Sequence, residues 1–405
     1  MSRGRKIVVG LDVGTTKICC MVAETSGEQL EVLGVGSHPS EGLRKGMVIN
    51  MDKAASSIRK ALSEASMMSN CEITRVVTGV AGAHVRSFNS QGLVPIHGRE
   101  VGQRECQKVL EAAQAVPIPA HEQLLHVISQ EFILDGQGGI QNPVGMKGVR
   151  LECKVHIVVG EVSKVQALIK CCNKAGVSVE DVVLQPLASA EAVLTPEERE
   201  RGAVMVDFGG GTTDVAVFIS GAIKHTASIP LGGVNLTSDL AIGLMTSMEE
   251  AERIKTTVGC CMPTMVGRRQ TVAVRRADSP NPAQVSLQVV AEILGARTEE
   301  LMRLVREQLE EAGLMQQLAG GVVITGGSAK LPGIVELAQQ VFGLPTRRGL
   351  PRVEGNLEEV VAHPEFATAL GLVMHGANSE ELGEHILGEP KGILERMRRW
   401  FREIV

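Results

Sequence analysis

The sequence predicts an α/β chain built from two related halves with a ligand between them, and three observations carry that reading. Residues 204–219, VMVDFGGGTTDVAVFI, run apolar to Asp207, break at Gly209, Gly210, Gly211, Thr212 and Thr213, meet Asp214 and turn apolar again. Two short strands around a glycine turn read as a β-hairpin. Residues 7–23, IVVGLDVGTTKICCMVA, repeat the order: a strand ending at Asp12, then Gly14, Thr15, Thr16 and Lys17, then a second strand. Near the end, the apolar strand over 321–325 enters Gly326, Gly327 and Ser328 ahead of a helix. Glycine permits positive φ and close approach, so backbone amides in such turns can converge on an anion such as a phosphate. Asp12 and Asp207 then suit a hydrated divalent cation on that phosphate. One such turn alone fits an unliganded Asp-Gly hairpin equally well. Two that could grip phosphates from opposite sides imply a duplicated domain with a nucleotide between its halves. Neither is a P-loop, because no GK[ST] follows and each turn leads into a strand.

In chain order, residues 6–37 alternate strand and turn. Residues 47–68 place Ile58, Ala61 and Leu62 on one helical face, with Lys53, Arg59, Lys60 and Glu64 elsewhere, which predicts a helix packed on the first sheet. A short strand over 73–80 closes at Gly82. From 84 to 162 the texture changes: turn-rich parts around Pro117 and from Gly136 to Gly145 bracket the strand-like HVISQEFIL, and LECKVHIVVG alternates before Gly160. This part is expected to be a compact inserted lobe, and its His97, His121 and His126 lack metal spacing and read as surface or cap residues. A helix over 163–172 stops at Gly176, a strand follows over 177–184, and Gln185-Pro186 opens the small-residue helix LASAEAVL. TPEERERG reads as an acidic loop before the glycine hairpin. A strand over 225–230 precedes Gly232-Gly233 and a helix from about Asn235. Residues 241–320 form a second candidate lobe, with an exposed helix over 249–255, loop and strand over 262–276, a break at Pro280-Asn281-Pro282, and a long helix over 289–318. The apolar stripe of that helix is Ile293, Leu294, Leu301, Leu304, Val305 and Leu309, which reads as core. Helices over 334–342 and 366–374 follow, the latter, FATALGLVM, again rich in small residues.

Composition narrows the class. At 405 residues the chain is too long for one core, and a hydrophobic fraction of 44% is enough to fill several. A net charge of −5 (41 basic against 46 acidic side chains) with 2% aromatics disfavours nucleic acid as a partner. Nine cysteines, six of them in adjacent pairs and none as C-x-x-C, suit small buried residues in a reducing cytosol rather than zinc. The N-terminal apolar run meets Asp12 too soon for a secretory signal, and no run is long enough to span a bilayer.

Together, the hairpins at Asp12 and Asp207, the turn TGGSAKLPG over 325–333 and the two small-residue helices resemble the signature of the actin, Hsp70 and sugar-kinase superfamily. Within it, HVISQEFILDGQGGIQNPVGMKGVRLECKVHIV and the C-terminal tail are similar to the bacterial FtsA family of cell-division proteins. The resemblance implies an actin-like two-lobe ATPase fold: subdomain 1A over 1–83 and 163–200, an inserted 1C over 84–162, 2A over 201–240 and 321–377, and 2B over 241–320. It implies ATP and Mg2+ as cofactors. Asp12, Gly14, Thr15, Thr16 and Lys17 would form the first phosphate hairpin and Gly209 to Thr213 the second. Asp12 and Asp207 would hold Mg2+ through water with Asp214 nearby, Gly326, Gly327 and Ser328 would pack on the adenosine, and Glu252 with Lys255 would reach the ribose or base. Gln185 stands where relatives place a water-positioning residue; a neutral amide is a poor base, so at most slow hydrolysis is expected. The implied partners are FtsZ, further copies of the chain, later division proteins and anionic lipid, with Arg297 and Glu300 on the long helix as candidates for the FtsZ contact.

Residues 391–405, KGILERMRRWFREIV, place Ile393, Leu394, Met397, Trp400, Phe401 and Ile404 on one helical face and Arg396, Arg398 and Arg399 among the basic residues opposite. Five basic and two acidic side chains give this segment a charge of +3, and it holds the only tryptophan in the chain. Such a helix suits the headgroup boundary of an anionic membrane, with polar residues 378–390 as its tether. The function expected is therefore an ATP-binding adaptor that polymerises at the cytoplasmic face of the membrane at the division site and anchors FtsZ there. A pilus-assembly adaptor or a small-molecule kinase of the same fold is the alternative.

Overall fold

The structure, a computed structural model, describes residues 6–26, 29–276, 281–353 and 355–381. Strands β1 (Lys6–Val13), β2 (Lys17–Ser26) and β3 (Gln29–Pro39) form an antiparallel meander. A two-residue pair, β4 (Leu43–Arg44) with β5 (Met47–Val48), leads into α1 (Met51–Ser69). The helix begins later than residue 47 because Asn50 caps it, its side chain accepting from the Lys53 amide at 3.0 Å. Strand β6 (Arg75–Val80) returns parallel to β1.

The next stretch forms a separate four-stranded sheet from β7 (Val85–Pro95), β8 (Glu122–Leu134), β9 (Gln137–Ile140) and β10 (Arg150–Glu161), in the order β7-β10-β8-β9. Its core is closed by α2 (Gln103–Gln114), a helix missing from the sequence expectation. Cys106, Val109, Leu110 and Ala113 do fall at helical spacing and are buried. They are sparse among strand-like neighbours, so the period of the surroundings dominates the local signal.

Helix α3 (Val162–Ala175), strand β11 (Ser178–Leu184) and helix α4 (Gln185–Val193) complete the first half. TPEERERG is a helix rather than a loop: α5 (Pro196–Arg201) starts from a capping box in which Thr195 Oγ1 accepts from the Glu198 amide and Glu198 Oε2 from the Thr195 amide. Then β12 (Ala203–Phe208), β13 (Thr213–Ile219) and β14 (Ala222–Ile229) form a second meander. Helices α6 (Gly233–Leu244) and α7 (Met248–Val258), the hairpin β15 (Thr271–Val274) with β16 (Ala283–Ser286), and α8 (Leu287–Glu311) follow. Helix α8 stops short of residue 318 because the chain turns at Gly313, at φ 69°. The chain continues through β17 (Gly321–Thr325), α9 (Ile334–Phe342), β18 (Thr346–Arg348), α10 (Glu358–Val361) and α11 (Ala367–Glu381).

The two five-stranded sheets repeat one topology. β3-β2-β1-β6-β11 and β14-β13-β12-β17-β18 each pair an antiparallel meander with two parallel strands added on the side of its first strand. Each is followed by a small-residue helix, α4 or α11, and these two helices cross between the halves. Their contact is as close as backbone allows, since a Cβ on Gly371 would overlap the Ala188 carbonyl. Ala190, Ala192, Ala367, Ala369 and Leu370 fill the core around the crossing. The inserted sheet leans on the edge strand β14: Ser87 Oγ donates to Thr226 O, Asn89 Nδ2 to Lys224 O and Gln130 Nε2 to Ile223 O. An open sheet edge is thereby covered. Among the described residues no helix is long and apolar enough to cross a membrane. Residues 391–405, with the expected amphipathic face, lie outside the described residues.

Candidate functional site

The two glycine turns face each other across a cleft of about 380 Å³ between the halves. Such a volume suits a small molecule or cofactor. In the first hairpin, Gly14 lies in the tight turn between β1 and β2, its amide donating to Lys17 O at 3.0 Å. In the second, β12 and β13 pair from Ala203 with Phe218 to Phe208 with Thr213, which leaves Gly209 to Thr212 as the loop. None of Gly14, Gly209, Gly210 and Gly211 has positive φ. The second loop needs glycine for contact: a Cβ on Gly210 would overlap Thr16 Oγ1, and one on Gly211 would fall 2.5 Å from Thr15 Oγ1. The threonine pair of one half thus packs on the bare backbone of the other. The first turn of α6 fixes the loop from behind, Gly233 N donating to Gly209 O at 2.9 Å and Val234 N to Gly210 O at 2.8 Å.

Three carboxylates line the cleft, Asp207 and Asp214 buried and Asp12 partly exposed to it. Burial, offset in part by Lys17, pushes Asp12 up to about 7. Burial likewise pushes Asp214 up to about 7, and raises Asp207. Their hydrogen bonds differ. Asp214 uses both oxygens, accepting from Ser228 Oγ at 2.5 Å and Thr212 Oγ1 at 2.8 Å, so it holds the hairpin together and is the least available of the three. Asp207 Oδ2 accepts from Ser189 Oγ on α4 and Thr368 Oγ1 on α11. Asp12 Oδ1 accepts from Gln185 Nε2 at 2.9 Å, which orients that amide at the start of α4. One oxygen on each of Asp12 and Asp207 keeps no hydrogen bond among the described residues. Two hard oxygen donors in a buried, like-charged pair fit a divalent cation. Among the described residues no three His, Cys, Asp or Glu side chains come together to hold a metal by themselves. A Mg2+ ion fits such a pair when waters and phosphate oxygens complete its shell.

The cations are also placed. Lys17 Nζ reaches across the cleft to Glu365 O at 2.7 Å and sits 4.3 Å over the Phe366 ring. Lys330, in the turn after Ser328, pairs with Glu365 at 2.8 Å and lines the cleft beside Gly326, Gly327 and Ser328. Gly326 has φ 86°, and a Cβ there would overlap Asp207 Oδ1, so this turn does need glycine on both counts. Lys255 lines the cleft from α7 and is held by Glu252 at 2.7 Å, Thr237 Oγ1 at 2.9 Å and Gly233 O at 3.2 Å. Glu252 stands behind Lys255 as its partner. Thr213 turns away from the cleft and donates to Leu231 O at 2.9 Å. Arg297 and Glu300 are far along α8 and paired: Arg297 binds Asp239 of α6 and Glu300, each at 2.5 Å. Sequence reasoning missed Ser189, Thr368, Lys330 and Glu365. Lys330 sits inside the quoted glycine turn and was within reach, whereas the other three depend on contacts between distant segments.

Similarity to known proteins agrees with this architecture. The family model "Cell division protein FtsA" matches residues 204–371, and "SHS2 domain inserted in FTSA" matches residues 82–159. The protein described as cell division protein FtsA in Pseudomonas aeruginosa is 42% identical, over 98% of this chain and 97% of its own. The chain belongs to the FtsA family of cell-division proteins. The Escherichia coli member is 35% identical over 98% of each chain. Among solved structures, the PilM-PilN type IV pilus biogenesis complex aligns with a TM-score of 0.65 at 21% identity, covering 91% of this chain and 98% of that one. MreB5 of Spiroplasma citri bound to ADP aligns with a TM-score of 0.55 at 16% identity, covering 94% of this chain and 96% of the other. Likeness at that identity establishes the fold, which is actin-like. The family's inserted SHS2 domain coincides with the sheet β7-β10-β8-β9 and α2.

Proposed function

We propose that this FtsA-family chain binds ATP with Mg2+ in the cleft, self-associates at the cytoplasmic face of the membrane, and anchors FtsZ filaments there, with later division proteins joining the assembly. The observation that carries the nucleotide reading is the apposition of the two hairpins, with Lys17 and three carboxylates, two of them buried, between them. Gly14 to Lys17 and Gly209 to Thr212 take the phosphates from opposite halves. Asp12 and Asp207 face the cation through water, and the cation neutralises phosphate charge when bound. Gly326 and Gly327 offer a side-chain-free shelf for the adenosine with Ser328 beside it, flanked by Lys330, while Lys255, oriented by Glu252, reaches the ribose or base. The ADP held by the MreB5 relative of this fold supports the same use of the cleft.

Gln185 points its amide nitrogen at Asp12 and its oxygen is free to orient water, but an amide cannot take up a proton, so turnover is slow. The tail over 391–405 attaches the chain to anionic lipid as a peripheral protein. FtsZ meets the lobe carrying α8, where the Arg297–Glu300 pair presents both charges. The pilus reading rests on a likeness of fold at 21% identity, which carries no function, the kinase reading has no observation of its own, and the 42% and 35% identities lie with division proteins.

Titration with a fluorescent ATP analogue in the presence of Mg2+ tests the cleft. The Lys17→Ala chain is expected to bind roughly ten- to a hundredfold more weakly, the loss typical of one charge-assisted hydrogen bond. Equal affinity in the two chains would remove Lys17, and with it the first hairpin, from the phosphate site.

A further inference from the structure

Asp207 is joined to both helices that cross between the halves. Its Oδ2 lies 2.7 Å from Ser189 Oγ on α4 and 3.2 Å from Thr368 Oγ1 in the first turn of α11. The two hydroxyls are 2.8 Å from each other. All three groups are buried, Ser189 completely. Each hydroxyl has one proton, so three short separations share two donated bonds. When Ser189 gives its proton to Asp207, Thr368 can give its own either to the carboxylate or to Ser189 Oγ. The network therefore responds to where the carboxylate sits.

The place of this network in the fold makes that response useful. Ser189 follows Ala188, whose carbonyl lies against Gly371, one turn beyond Thr368. At that point the helices touch backbone to backbone, a contact suited to serve as a pivot. A shift of the hydroxyl pair beside a pivot rotates one helix on the other instead of parting them.

We propose that Ser189 and Thr368 are positioning residues, a hydroxyl pair that ties the Asp207 carboxylate to the α4–α11 crossing so that occupancy of the cleft is passed to the joint between the halves. The inference rests on the reading of the cleft as a site for ATP and Mg2+. A purely structural role would only satisfy a buried carboxylate, and would leave the response of the helices to ligand unchanged.

Hydrogen exchange read by mass spectrometry on the full chain, with and without saturating ATP and Mg2+, separates the two. In the wild type, ligand is expected to slow exchange in α4 and α11 as well as in the two hairpins. Ser189→Ala and the near-isosteric Thr368→Val are expected to bind the fluorescent ATP analogue about tenfold more weakly. At saturation they still protect the hairpins and no longer protect α4 and α11. Thr368→Ser, which keeps the hydroxyl, restores the helix protection. Full protection of α4 and α11 in Ser189→Ala and Thr368→Val overturns the proposal and leaves the nucleotide reading standing, as does a wild type that binds ATP without protecting the helices. A wild type that takes up no ATP overturns both.

Discussion

His156 on β10 is 1% exposed and lies where the inserted sheet meets β14. Its Nδ1 is 2.7 Å from Asn89 Oδ1 and its Nε2 is 3.0 Å from Thr226 Oγ1. Burial, reinforced by His225 and His126, lowers it to about 3, so the folded chain keeps this ring neutral while the unfolded chain protonates it below about 6.5. A folded-state value below the unfolded one means that the stabilisation is complete above about 6.5 and is lost as pH falls from there towards 3. From pH 7.5 to 5.5 this one site should cost on the order of 1 kcal/mol. Urea melts at the two pH values check it: the wild type should lose about that much more than His156→Gln, and equal losses would assign the acid sensitivity elsewhere. His156 was not singled out in the sequence, because its environment is assembled from Asn89, Thr226 and His225, remote in the chain. The glycines give the complementary lesson. Their clustering marked the hairpins correctly, yet Gly210 and Gly211 are required by the neighbouring Thr15 and Thr16 rather than by positive φ, a reason only the packed halves reveal.

Among the elements, α4 and α11 show how a local composition becomes a tertiary device. LASAEAVL and FATALGLVM announced close crossing by their small residues, and the structure brings them together at Ala188 and Gly371. Alanine in place of glycine inside a helix ordinarily stabilises by about 1 kcal/mol. At Gly371 the added methyl meets a carbonyl oxygen that belongs to another helix, and overpacking of this kind costs roughly 1–3 kcal/mol. The second effect wins, so Gly371→Ala should unfold at lower urea than the wild type; a gain in stability would show that the crossing yields easily. Elements held by distant partners were harder to read. PEERER has no apolar stripe and so reads as a loop, but the capping box of α5 is legible at Thr195 and Glu198, and Arg347 of β18 binds Glu198 at 2.6 Å. α2 carries a stripe of only four apolar positions, and its burial depends on a sheet whose strands lie on both sides of it in sequence.

For the whole molecule, the duplicated sheets explain why two short motifs almost 200 residues apart end up across one cleft, and the order of the motifs made that much legible beforehand. The proposed attachment to a membrane is a different matter, because it would turn on how many chains act together. If residues 391–405 bind as the proposed amphipathic helix, six apolar side chains would offer roughly 1.5–3 kcal/mol each, only partly realised at an interface, and ordering the segment would cost about 1 kcal/mol or more per residue. Basic residues near anionic lipid add about 1 kcal/mol apiece. The difference is small, so on the proposed reading a single chain would bind reversibly, whereas a polymer would present many tails to one surface and its effective concentration would make release of any one of them inconsequential. Sedimentation with anionic vesicles should therefore show weak binding without nucleotide, strong binding with ATP and Mg2+, and neither for a chain ending at Pro390. Asp207→Ala should resemble the nucleotide-free wild type, since its tail is intact but the cleft cannot drive assembly. Tight binding by Asp207→Ala would show that one tail suffices and that the polymer is not needed for attachment; binding by the shortened chain would place the lipid contact on the body of the protein.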